Sequence, residues 1–71
     1  MADSVYKVIE LIGTSTESWE KAAKTAVERA AQSLRDLRVA QVLEQDIELK
    51  DGKVVSYRTK VKVSFKYEAG D

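Results

Sequence analysis

Two long runs of alternating side chains meet at Asp51-Gly52, and this feature limits the folds open to the chain more than any other. Val39 to Leu49 and Val54 to Tyr67 both repeat every second residue, the period of a strand with one face covered. Lys50-Asp51-Gly52-Lys53 joins them with the residue pair that most favours a hairpin turn. On the second arm Val55, Tyr57, Thr59, Val61, Val63 and Phe65 share one face, and Ser56, Arg58, Lys60, Lys62 and Ser64 share the other. On the first arm Leu43, Ile47 and Leu49 oppose the polar series Glu44, Asp46 and Glu48. A three-residue turn with a glycine bulge pairs Leu49 with Lys53, Ile47 with Val55 and Glu44 with Arg58. That register puts both apolar series on one face and sets an acidic row beside a basic one on the other.

Something must cover the apolar face, and the preceding segment supplies it. From Thr16 to about Leu37 the period changes. Trp19, Ala23, Ala26, Val27, Ala30, Leu34 and Leu37 recur at three- and four-residue steps, opposite Lys21, Lys24, Glu28, Arg29, Gln32 and Arg35. Glu17–Lys21 and Glu20–Lys24 have ion-pair spacing. Ser15 is the expected N-cap, and the alanines predict a helix lying close against a sheet. Before it, Val5 to Ile12 is nearly continuous in apolar residues and reads as a strand with much of both faces covered, stopped by Gly13. The fold class is therefore α+β: β-α-β-β, a three-stranded antiparallel sheet wrapped around one helix. The tail from Glu68 to Asp71 is expected to fray.

Seventy-one residues support a core worth only roughly 3–5 kcal/mol unless something reinforces it. Cysteine and histidine are both absent, which removes disulfides, thiolate chemistry and the commonest zinc ligand. A carboxylate-bound cation or subunit assembly remains, and exposed sheet edges favour assembly. Twelve acidic and twelve basic residues cancel, so no long-range field gathers nucleic acid or anionic lipid. No stretch approaches a membrane span, and Met1-Ala2-Asp3-Ser4 lacks the layout of a signal peptide, so the expected compartment is the cytoplasm. Without histidine or cysteine, and with no base beside a serine, enzyme activity is not expected.

The opening Val5-Tyr6-Lys7-Val8-Ile9-Glu10-Leu11-Ile12-Gly13-Thr14-Ser15 resembles that of the dodecins, where V-Y-K-x-x-E-x-x-G-T-S leads into a single helix. Ala30 before Leu37, the Asp51-Gly52 turn, and Tyr57 followed by Val61-Lys62-Val63-Ser64-Phe65 continue the likeness. The resemblance implies one domain across residues 1–71, assembled through trimers into a hollow homododecamer that binds or stores a small ligand. Flavin-binding dodecins carry a stacking tryptophan at the start of the second strand, where this chain has Val39. They also carry a glutamine after the tyrosine of the third strand, where it has Arg58. Valine offers no π face, so the flavin sandwich is not expected. Arg38-Val39-Ala40-x-Val42-x-Glu44-Gln45-Asp46, Tyr57-Arg58 and Ser18-Trp19-Glu20 are instead similar to a calcium-dodecin branch, which implies calcium as the ligand.

The candidate metal ligands are Glu44, Asp46 and Glu48, since hard cations seek several carboxylate oxygens and these three share a strand face. The plainer reading pairs the same acids with Arg58, Lys60 and Lys62 across the hairpin. A rebuilt cofactor pocket would use Val39, Arg58 and Gln45, with Arg58 holding an anionic group through its forked donors. Trp19 reads as a core or subunit-interface anchor, and Gly13-Thr14-Ser15 as a turn and cap. A structural assembly without any small ligand is the third possibility.

Overall fold

A computed structural model describes residues 3–66. Tyr67, the last residue of the expected second arm, and the tail from Glu68 lie outside the described residues. The element order is β1 (Tyr6–Ser15), α1 (Trp19–Ala31), β2 (Leu37–Lys50) and β3 (Lys53–Lys66). The three strands form one antiparallel sheet in the order β1-β3-β2. The expected β-α-β-β fold is present, with β3 in the middle and an edge strand on either side.

The first strand does not stop at Gly13. It continues to Ser15, and Gly13 pairs with Thr59 inside the sheet. The residue matters for a different reason. A Cβ built on Gly13 would lie 2.0 Å from the Ala22 carbonyl oxygen and 2.9 Å from the Ala26 Cβ. Glycine and alanine together let α1 settle onto the strand. Ala22, Ala26 and Ala30, four apart along the helix, are its buried residues.

The helix also starts later and ends earlier than its sequence period suggests. Ser18, not Ser15, is the N-cap; its Oγ accepts from the Lys21 N–H at 3.0 Å. Ser15 Oγ instead accepts from the Glu17 and Ser18 N–H groups at 2.9 and 3.4 Å, closing the turn that feeds the helix. Glu17 reaches Lys21 at 2.9 Å as expected. At the far end the Gln32 N–H bonds both the Ala30 and Arg29 carbonyls. Asp36, in the left-handed region at φ 57, then redirects the chain. Leu37 therefore opens β2 opposite Phe65 instead of closing the helix.

The hairpin turn holds two residues, not three. Asp51 (φ 54) and Gly52 (φ 76) both sit at positive φ, as a type I′ turn requires, and Lys50 pairs with Lys53. Register shifts follow between Glu48 and Leu49, between Val42 and Glu44, and between Leu37 and Val39. They leave Val55, Leu43 and Arg38 without a direct cross-strand partner. The resulting pairs are Ile47 with Tyr57, Asp46 with Arg58 and Glu44 with Lys60, which corrects the expected partners of Ile47, Leu49 and Glu44. The separation of faces survives, because the bulges realign the apolar series.

The core is small. Val61 and Val63 are fully buried against Ala26, with Ile9, Leu11, Ala23, Val27 and Leu37 packed around them. Fully buried Thr59 satisfies its hydroxyl by donating to the Trp19 carbonyl at 2.9 Å. Among the described residues ten large apolar side chains remain exposed, including Tyr6, Val8 and Ile12 on the outer face of β1. The first strand thus has one covered face within the chain, not two. The helix covers β1 and β3 while most of β2 projects past it, and the chain extends 55 × 20 × 16 Å. Its radius of gyration, 14.8 Å, exceeds the roughly 11 Å of a compact chain of this length.

Candidate calcium site

The middle of the hairpin builds a polar outer face away from the helix, bordered on one side by β1. Central β3 contributes Arg58, Lys60 and Lys62, while β2 contributes Glu48, Asp46 and Glu44 opposite Ser56, Arg58 and Lys60. On the other side β1 sets Thr14 opposite Arg58, Ile12 opposite Lys60 and Glu10 opposite Lys62. The strand period carries these residues to one face, since a helix covers only the other.

The three acids have different commitments. Asp46 is held by a two-pronged pair, with Arg58 Nε donating to Oδ1 at 2.8 Å and Nη2 donating to Oδ2 at 2.9 Å. These hydrogen bonds, helped by the guanidinium charge, outweigh the opposing desolvation and hold the Asp46 carboxyl below the ordinary aspartate range. The Arg58 guanidinium is shifted upward by the same partner. Glu48 accepts from the Ser56 hydroxyl at 2.9 Å. Glu44 makes no hydrogen bond or ion pair among the described residues, because Lys60 turns across the sheet to Glu10 at 3.5 Å. The plain cross-strand reading is thus realised for Asp46, while Glu44 is left open.

Asp46 is also gripped from behind. The Trp19 indole Nε1 donates to its backbone carbonyl at 2.9 Å, which is possible because β2 is an edge strand with one side free of ladder partners. Trp19 meets Tyr57 edge to face, with ring centroids 5.1 Å apart at 69°. This half-buried tryptophan pins the start of α1 to the hairpin instead of joining the buried core. Sequence reasoning placed Trp19 as an anchor but carried no signal for its bond to Asp46, which depends on how far β2 projects.

Oxygen donors of this kind suit calcium, and all three side chains are exposed on one strand face. Alternate residues along a strand stand about 7 Å apart, so one cation can bridge two neighbouring acids but not all three. Accordingly, among the described residues no three acidic side chains come together closely enough to hold a metal ion. The donor set fits a partial coordination shell that other ligands must complete. The rebuilt-pocket residues are not brought together. Val39 and Arg58 lie on the outer face, where Val39 pairs with Ser64, six residues along β3 from Arg58. Gln45 pairs with Thr59 on the helix face. A separate open groove of about 480 Å³ runs between α1 and β1, lined by Leu11, Thr25, Ala26 and Arg29 among others, and includes none of the predicted site residues.

The model of the dodecin family matches residues 5–68. The chain belongs to the dodecin family. This dodecin is 56% identical over 63 residues to the calcium dodecin of Mycobacterium tuberculosis, covering 89% of each chain. It is 38% identical over 64 residues to the dodecin of Thermus thermophilus, covering 90% of this chain and 93% of that one. Among solved structures it resembles the Mycobacterium tuberculosis calcium dodecin, described as a calcium-chelating immunodominant antigen with a novel calcium-binding site. There the TM-score is 0.84 at 54% identity over 96% of this chain and 97% of that chain. The dodecin of Streptomyces coelicolor gives a TM-score of 0.91 at 33% identity over 99% and 100%. Among the described residues, no helix of this dodecin is long and apolar enough to cross a membrane.

Proposed function

We propose that this dodecin is a calcium-binding homododecameric shell that holds no flavin, and that Glu44, Asp46 and Glu48 supply its cation ligands. The observation that carries the reading is the row of exposed carboxylates on edge strand β2, with Glu44 uncommitted among the described residues. The likeness to a calcium dodecin supports the choice of cation. Bound there, calcium would supply charge neutralisation and cross-linking of acidic strands. The chain contributes one or two oxygens per acid, and a neighbouring copy completes the shell. Val39, 63% exposed and without a π face, supports the absence of flavin stacking.

Assembly is supported by the chain's own shape. It exposes 5612 Å², against about 4,400 Å² for a globular monomer of its mass. Among the described residues both outer strands have unpaired edges, and exposed apolar residues line β1 and the hairpin end. Such surfaces are stabilised when copies bury them.

The test is isothermal titration of the chelator-treated assembly with calcium, repeated on Glu44→Gln combined with Asp46→Asn. Saturable heat that vanishes in the double variant is the expected result. Absence of heat in the parent demotes the acids to cross-strand partners, and a yellow preparation would point to flavin instead. Light scattering on the same sample should give the mass of twelve chains; a folded monomer overturns the assembled reading.

A further inference from the structure

We propose that Arg58 sets the affinity and selectivity of this cation site, acting as a built-in counter-ion that occupies Asp46 until a divalent cation displaces it. The inference rests on the calcium reading above. Both oxygens of Asp46 are engaged by the guanidinium fork at 2.8 and 2.9 Å. Calcium needs carboxylate oxygens at about 2.3–2.6 Å. A dication seated on Asp46 would therefore stand within a few ångströms of a permanent positive charge, which cannot be removed by deprotonation. The two cations compete for one carboxylate.

The surroundings of Arg58 decide how that competition runs. Across β1 its register neighbour is Thr14, which carries no charge, so no second carboxylate holds the guanidinium from that side. Across β2 its diagonal neighbours are Glu44 and Glu48. Glu44 has no partner among the described residues, and Glu48 is engaged by the Ser56 hydroxyl alone. A cation arriving at Glu44 can recruit Asp46, the next acid on the same face, while the released guanidinium moves toward Glu48 or into water. Arg58 is only half buried, so its release exposes little apolar surface. A monovalent ion brings no more charge than the guanidinium and none of its bidentate geometry, so it does not displace it. The fork thereby screens the site against sodium and potassium and tempers its affinity for calcium.

The experiment compares calcium titrations of the assembled parent, Arg58→Gln, Arg58→Lys and Lys62→Gln, each first shown to keep the parent's mass by light scattering. Lys62→Gln removes the same charge two pairs further along β3, and so measures the general field alone. Arg58→Gln should bind calcium about tenfold more tightly or better, and should become sensitive to added sodium. Arg58→Lys should fall between it and the parent, and Lys62→Gln should stay close to the parent. In parent protein the Arg58 Nε–H resonance should lose its hydrogen-bonded position as calcium is added. Unchanged or weaker binding in Arg58→Gln, with the parent still binding, overturns the competition and makes Arg58 a support for Asp46. Equal tightening in Lys62→Gln reduces the effect to net charge. No binding in the parent overturns this proposal and the calcium reading together, whatever Arg58→Gln does.

Discussion

Replacing Gly13 with alanine tests the argument for how the helix meets the sheet. Gly13 is not among the residues at positive φ, so its strand backbone would accept alanine and the penalty is steric. The new methyl would lie 2.0 Å from the Ala22 carbonyl oxygen, where ordinary contact begins at 3.4 Å. That atom belongs to the helix backbone and cannot rotate away. The helix must therefore withdraw by about 1.4 Å over its first turns. A gap of 0.5–1 Å already forfeits a quarter to a half of the dispersion attraction of the atoms lining it. Ala22 and Ala26, whose small side chains make the close approach possible, lose most. We expect a cost of about 3 kcal/mol, the upper part of the range for overpacked sites. A chain of this length has only roughly 4–11 kcal/mol in total. Thermal unfolding followed by circular dichroism at fixed protein concentration should show Tm lowered by about 12 °C or more. Gly52→Ala is the companion measurement. Its Cβ meets nothing within 4 Å but must adopt φ +76, so the cost should be backbone strain of roughly 1 kcal/mol. A Gly13→Ala protein that melts within about 3 °C of the parent, or less affected than Gly52→Ala, would refute the close-packing argument.

Ser18→Ala removes the acceptor for the Lys21 N–H and should cost about 1 kcal/mol, while Ser15→Ala leaves the helix cap intact; equal losses in the two melts would move the cap back to Ser15. The Asp46–Arg58 pair gives a pH signature. Because the folded carboxyl titrates below its unfolded counterpart, the pair's contribution is complete above the ordinary aspartate range and is lost only as pH falls through the lowered folded value. The Asp46 carboxyl carbon resonance should therefore titrate below the ordinary range in the parent and return toward it in Arg58→Gln. A midpoint unmoved by the substitution would remove the pair as its cause. Because the pair is exposed, high salt should shrink the difference.

The sequence by itself determined the elements and their faces. The two-residue period of the hairpin arms, the positive-φ pair Asp51-Gly52 and the alanine-rich three- and four-residue period are local properties. Backbone geometry converts them directly into strands, a turn and a helix. The same locality made the acidic and basic rows legible, because alternation assigns a side chain to a face whatever the register. Tertiary structure decided which residues actually meet. The two-residue turn and the register shift between Glu48 and Leu49 moved the partner of Arg58 from Glu44 to Asp46. Lys60, facing a choice between Glu44 and Glu10, took Glu10 on a strand about fifty residues away in sequence, and so left Glu44 open. The role of Gly13 changed in the same way, from the end of a strand to the seat of a helix, because no local pattern records how near α1 comes. The bond from Trp19 to the Asp46 carbonyl exists only because an edge strand leaves that oxygen free beside the helix start. Periodicity specifies which side of an element is apolar. Pairing between distant segments depends on turn length, twist and packing acting together, and these fix the site.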